Sequence, residues 1–144
     1  MLKNINTKKI VPYSSIQMFE LVDNIEDYPK FLPWCVKSFI HSRTNIEVEA
    51  SLIVGFRGID KTFSTKNILN KPKKIEIQLL EGPFRSLSGD WTFRDIVNSQ
   101  SEIELNLSFE SSVGPLNHVF ENFFEQITKT QVLAFVKRAN HLYG

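Results

Sequence analysis

The sequence predicts an α+β fold: a curved antiparallel sheet of about seven strands wrapped around a long C-terminal helix, with two short helices after the first strand. Three observations predict it. Residues 34–110 alternate apolar and polar side chains with a period of two, broken by regularly spaced turn residues. The C-terminal thirty residues instead repeat their apolar side chains at three- and four-residue steps. The strand runs lie too close together for parallel crossovers, so neighbouring strands are antiparallel.

Taken in order, Lys3–Val11 reads as a strand, with Ile5 and Ile10 set among polar residues. A helix follows. Ser14 with Gln17 three residues later forms a capping-box pattern ahead of Met18, Phe19, Leu21 and Val22, and Asp23-Asn24 closes it. Residues 26–32 form a second short helix bounded by Pro33.

Six strands come next. Five of them show a one-face set: Val48, Ala50, Leu52 and Val54; Phe63, Thr65 and Asn67; Ile75, Ile77 and Leu79; Leu87, Gly89, Trp91 and Phe93; and Ile103, Leu105, Leu107 and Phe109. Turns fall at Thr44-Asn45, Gly55 to Gly58, Asn70 to Lys74, Gly82-Pro83 and Asn98-Ser99. Gly114-Pro115 then opens the last helix. Its stripe is Leu116, Phe120, Phe123, Ile127, Thr130 and Ala134, flanked by Phe124, Gln131 and Phe135, and it runs unbroken toward Gly144.

Composition narrows the function. At 144 residues the chain suits one domain spanning 1–144, large enough to bury about two-thirds of its unfolded surface. The single cysteine, Cys35, rules out an internal disulfide framework and a cysteine zinc cluster, and points to a reducing cytoplasm. Seventeen Lys and Arg against sixteen Asp and Glu argue against a DNA-binding protein with a global basic field. The start of the chain lacks the apolar stretch of a signal peptide, and no run is long enough to cross a bilayer, so a soluble protein is expected. His41, His118 and His141 are scattered without metal-ligand spacing, and neither a phosphate-binding glycine loop nor a Ser-His-Asp set is present. The expectation is a protein that is not an enzyme and requires neither metal nor cofactor.

Twelve phenylalanines must go into a core, a pocket or an interface. Interlocking of these rings explains any one of them. Polar residues on the same faces (Thr65, Asn67, Thr130 and Gln131) favour a cavity in which water or a ligand satisfies them. The residues that would line it are Phe31, Trp34, Leu52, Phe63, Leu79, Trp91, Phe120, Phe124, Ile127 and Gln131. Phe56 and Arg57, between two glycines at a hairpin tip, together with Leu32, read either as a contact with a membrane surface at the cavity's portal or as residues folded back on the domain. Lys71, Lys73 and Lys74 form a basic cluster open to two readings, a solvated turn or a contact with anionic lipid or rRNA.

Two segments carry a resemblance: Tyr28-Pro29-Lys30-Phe31-Leu32-Pro33-Trp34-Cys35, and Gly82-Pro83-Phe84-Arg85-Ser86-Leu87-Ser88-Gly89-Asp90-Trp91-Thr92-Phe93. With Gly58-Ile59 before Thr62-Phe63-Ser64-Thr65, and the ending from Ala134-Phe135 to Tyr143-Gly144, the whole chain resembles the coenzyme Q-binding protein family, whose bacterial members are often named ribosome-association toxins (RatA). The resemblance implies the helix-grip fold of the START-like, polyketide cyclase-like superfamily. It also implies binding of ubiquinone or a similar isoprenoid lipid in support of respiration, without catalysis; the reading that follows is a lipid-binding protein that docks transiently on a bacterial inner membrane. For some members it implies binding to the large ribosomal subunit and interference with subunit joining.

Overall fold

The computed structural model describes residues 2–144. Seven strands form one antiparallel sheet: β1 (Lys3–Val11), β2 (Cys35–Arg43), β3 (Glu47–Phe56), β4 (Ile59–Asn70), β5 (Lys74–Glu81), β6 (Phe84–Asp95) and β7 (Ser101–Ser111). Their order is β1-β7-β6-β5-β4-β3-β2, a six-strand meander whose last strand pairs with the first. The helices are α1 (Ser15–Asp23), α2 (Tyr28–Phe31), α3 (Pro115–Lys129) and α4 (Gln131–Tyr143), with a 3₁₀ turn at Ile25–Asp27. The expected second helix over 26–32 is therefore two short pieces. Leu32, held extended ahead of Pro33, caps the second.

Local chemistry sets these elements. The Ser14 hydroxyl accepts the Gln17 N–H at 3.2 Å, and the Gln17 side chain accepts the Ser14 N–H at 3.0 Å. Asp95, at the end of β6, adds two bonds to Ser15: it accepts the N–H at 2.9 Å and the hydroxyl at 2.8 Å. Those bonds hold the Asp95 carboxyl below its ordinary value of 3.8. Between β3 and β4, Arg57 and Gly58 both take positive φ, so two residues close the hairpin with Phe56 opposite Ile59.

Register irregularities at Cys35/Lys37, Ile40/Ser42, Ser64/Thr65 and Phe84/Ser86 mark where the strands bend and the sheet curls. On β7 alternation is complete: Ile103, Leu105, Leu107 and Phe109 are buried and their neighbours are not. Gly89 lies opposite Leu107, where an added Cβ would come within 2.1 Å of the Asn106 carbonyl oxygen. Close approach of β6 and β7 explains this glycine, and the register runs through it without a bulge.

The terminal helix departs from expectation. It breaks at Thr130, which has φ −99° and ψ 1°. No glycine or proline causes this. The Thr128 hydroxyl bonds the Phe124 and Glu125 carbonyls, and the Thr130 hydroxyl bonds the Ile127 carbonyl, so two threonines compete with the main chain within one turn. The buried stripe is Phe120, Glu121, Phe124 and Thr128, then Val132, Phe135 and Ala139. Leu116 and Thr130 are exposed, and Phe123, Ile127 and Ala134 lie at the margin. The face is thus rotated by about one residue from the expected one, because α3 settles on β1 and β7 at one side of the sheet. Glu121 turns inward there and accepts the Ser111 N–H at 2.6 Å. Burial opposes its charge, but that bond and the nearby Lys3 prevail and hold its carboxyl below the ordinary value.

Candidate functional site

With α3 and α4 seated over β1 and β7, the concavity over β3 to β6 is only partly filled. A cavity of about 90 Å³ remains there. Its floor is Ala50, Leu52, Phe63, Thr65, Asn67, Ile75, Ile77, Leu87, Trp91, Leu105 and Leu107. Phe124, Ile127, Thr128 and Gln131 close it from the C-terminal helices, while Val22, Ile25, Tyr28 and Trp34 close it from the α1–β2 region. Each strand contributes alternate residues, as the period-two pattern requires. Trp34, Leu52, Thr65, Asn67, Ile77, Ile127 and Gln131 keep partial exposure and mark its mouth.

Among the described residues, no carboxylate, imidazole, amine or guanidinium lines this space. Tyr28 donates its hydroxyl to the Val22 carbonyl, and burial raises its pKa far above the ordinary tyrosine value, so the phenol stays protonated. The Thr128 hydroxyl is committed to helix carbonyls. Thr65 donates to the Asn67 Oδ1 at 3.0 Å. Among the described residues no group of histidine, cysteine and carboxylate side chains is placed to hold a metal. Cys35 is buried, which pushes its thiol up to about 11, and it lies outside the lining.

Of the ten residues expected to line a cavity, Trp34, Leu52, Phe63, Trp91, Phe124, Ile127 and Gln131 do so; Phe31, Leu79 and Phe120 do not. Phe120 is fully buried in a separate ring cluster. Phe31 packs at the margin of the core against buried Phe135, with centroids 5.2 Å apart, and the Arg138 guanidinium sits 5.1 Å from its ring. Leu79 stays at the partly buried edge of the core.

The portal residues need correction. Phe56 is 2% exposed and meets Phe123 at 5.0 Å and Phe120 at 5.8 Å. It continues the inward series of Val48, Ala50, Leu52 and Val54, a signal already present in the spacing. Leu32 is 1% exposed and packs in the core. Arg57 alone of the three faces solvent. Twelve further lining positions were outside the expected set, and most of them, Ile75, Ile77, Leu87, Leu105 and Leu107 among them, lie on strand faces already identified as inward.

Of the basic cluster, Lys71 pairs with Glu20 at 3.1 Å and Lys74 with Glu76 at 3.4 Å. A different cationic surface exists: a shallow groove between the α2–β2 turn and α4, lined by Phe31, Pro33, Leu133, Lys137, Arg138 and His141.

A curled sheet gripping a broken terminal helix over an uncharged, aromatic-lined hollow defines a START-like helix-grip protein. Comparison with known proteins agrees. Residues 11–136 match the model of the family described as polyketide cyclase/dehydrase and lipid transport. Over 143 residues the chain is 36% identical to the ribosome association toxin RatA of Vibrio cholerae, covering 99% of both. It is 29% identical over 142 residues to the mitochondrial coenzyme Q-binding protein of Drosophila melanogaster, covering 95% of this chain and 58% of that one. The fold matches that of the Zhui aromatase/cyclase of a Streptomyces species with a TM-score of 0.84 at 15% identity, covering 97% and 94% of the two chains. An 18 kDa Caulobacter crescentus protein gives 0.73 at 27% identity, covering 99% of each. The chain belongs to the polyketide cyclase/dehydrase and lipid transport family, in the branch that holds RatA and the coenzyme Q-binding proteins. Its sequence relatives carry the names of toxins and binding proteins, while enzymes appear among its more distant fold neighbours. Among the described residues no helix is long and apolar enough to cross a membrane.

Proposed function

We propose that this protein binds a hydrophobic ligand of the isoprenoid-quinone class, ubiquinone or a close analogue, without chemical conversion, and so supports respiratory electron transport. The observation that carries this reading is the uncharged cavity with two tryptophans and two phenylalanines in its walls. A cavity of this kind favours an apolar ring by removing it from water, and it offers no acid or base to react with it. The name of the Drosophila relative supports the same ligand class.

Size sets a condition. A space of 90 Å³ is smaller than the roughly 150 Å³ that admits benzene, and far below the ~300–1,000 Å³ of drug-sized sites. Ligand entry therefore requires the lining to move. Partly exposed Trp34 and Ile127 and the helix break at Thr130 lie beside the cavity and are the parts of its wall we assign to that movement. Native mass spectrometry of gently purified protein, followed by solvent extraction, tests the reading. A co-purified polyprenyl quinone at one per chain is expected; a protein that is empty and takes up no added quinone overturns it.

A second reading is favoured by the 36% identity to RatA over 99% of both chains: association with the large ribosomal subunit and interference with subunit joining. The groove carries Lys137, an exposed cation suited to rRNA phosphates, beside Arg138, which lies 4.0 Å from Asp27. Sucrose gradients of ribosomes with added protein test it. An increase of free subunits over joined ribosomes supports it, and an unchanged ratio removes it. Both readings leave room for brief contact with a membrane surface, for which exposed Val113, Leu116 and Val119 at the start of α3 replace Phe56 as the apolar candidates.

A further inference from the structure

The polar atoms of the cavity are few, and most of them are already committed. The Tyr28 and Thr128 hydroxyls bond main-chain carbonyls, and the Thr65 hydroxyl donates to Asn67. That last bond fixes the use of the Asn67 amide. Thr65 and Asn67 stand two residues apart on one face of β4, so the hydroxyl engages Oδ1 and leaves both Nδ2 hydrogens for whatever occupies the cavity. Gln131 is the second amide. It begins α4 just after the break at Thr130 and lines the cavity from the helix side, and no side-chain hydrogen bond engages it among the described residues. Around these two amides the walls are aromatic and aliphatic, with no cation.

We propose that the Asn67 and Gln131 amides are the specificity-determining groups of this cavity, donating hydrogen bonds that select an uncharged planar head bearing carbonyl oxygens. This rests on the ligand-binding reading above and adds to it which part of the ligand is read, and by what. Three exclusions follow from the same residues. An ionised fatty acid would bury its carboxylate without a countercharge. A phosphorylated isoprenoid meets the same obstacle with more charge. A purely hydrocarbon ring would leave the two amides unpaired once water is displaced, and that penalty falls on the complex rather than on the empty protein. A head with carbonyl oxygens accepts from the amides while its ring lies against Trp34, Trp91 or Phe124.

The test compares three probes on the full chain by isothermal titration calorimetry: decylubiquinone and decylbenzene, which share a ten-carbon tail, and ionised palmitate at pH 8. Decylubiquinone is expected to bind at least about tenfold more tightly than decylbenzene, with palmitate not saturable. Asn67→Leu and Gln131→Leu should each move the ratio of the first two toward one, mainly by weakening the quinone while decylbenzene binds as well or better. Equal binding of decylubiquinone and decylbenzene by the unsubstituted protein overturns the inference while leaving a hydrophobic-ligand site standing, and it needs no variant to fold. A ratio unchanged in both folded variants overturns it too. Binding of none of the three probes removes the ligand-binding reading and this inference together.

Discussion

The two ends of the concave face are built from the same sheet and the same helix, yet one is solid and the other hollow. At the solid end Phe56, Phe63, Phe84, Phe109, Phe120 and Phe124 meet ring to ring, with centroids as close as 4.9 Å for Phe84–Phe124 and Phe109–Phe124. Most of these contacts are edge-on, the arrangement that fills space and suits the ring quadrupoles. At the hollow end, between the rings of Trp34, Trp91, Phe63 and Phe124, the strands present Ala50, Thr65, Asn67 and Ile77, which are smaller or polar, and α3 and α4 offer Ile127, Thr128 and Gln131 in place of further rings. Phe63 and Phe124 form the wall between the two. Side-chain volume, rather than backbone architecture, decides where the molecule stores stability and where it leaves room for a ligand.

The substitution with the largest expected effect erases both ends at once. Gly89→Ala drives a Cβ into the β6–β7 backbone, a clash neither strand relieves without losing register. More than about 3 kcal/mol should be lost, visible as a failure to accumulate folded protein. Phe84→Ala and Leu52→Ala then separate the ends. Phe84 touches four other phenylalanines, so its removal should cost about 3–5 kcal/mol in chemical denaturation. Leu52 is half-exposed beside space that already exists, and its truncation should cost under about 2 kcal/mol. Equal costs would contradict the division. Ile77→Phe sharpens it from the other side. Filling the hollow should leave stability within about 1 kcal/mol of the parent while abolishing quinone uptake.

A smaller effect belongs to the Asp95 clasp on α1. Because its two bonds to Ser15 lower its carboxyl value in the folded state, it adds stability above the ordinary 3.8, and that contribution fades as pH falls through the lowered value. Asp95→Ala should therefore melt below the parent at pH 7, with the gap narrowing toward pH 3. A constant gap would assign the loss to packing instead.

The sequence made the fold legible where one local rule acted alone. The capping box of Ser14 and Gln17, the alternation along β7 and the chain-order meander all appear in the structure as the residue pattern predicts. It was less legible where tertiary contacts chose between acceptable faces. The stripe through Leu116 and Thr130 has the right period but the wrong phase, since the side of the sheet on which α3 settles is fixed by the Glu121–Ser111 bond and the Lys3–Glu125 pair at 3.3 Å. The break at Thr130 carries no glycine or proline to announce it. Within Phe31-Leu32-Pro33-Trp34, the chain sets Phe31 on Phe135 at the margin of the core, Leu32 inside the core and Trp34 in the cavity wall, a division that composition alone does not encode. Seven of the expected lining residues still reach the cavity: Leu52, Phe63 and Trp91 because inward strand faces follow from parity, Phe124, Ile127 and Gln131 because the helical period keeps them near the buried face, and Trp34 from the turn ahead of β2.

Methyl-labelled NMR tests the central claim most directly, since isoleucines and leucines sit at both ends. On adding decylubiquinone, the methyl signals of Leu52, Ile75, Ile77, Leu105 and Ile127 should shift together and saturate, while those of Ile5 and Ile103, outside the cavity lining, stay in place. Shifts confined to exposed methyls such as Leu116 or Leu133, with the cavity signals unmoved, would contradict the account.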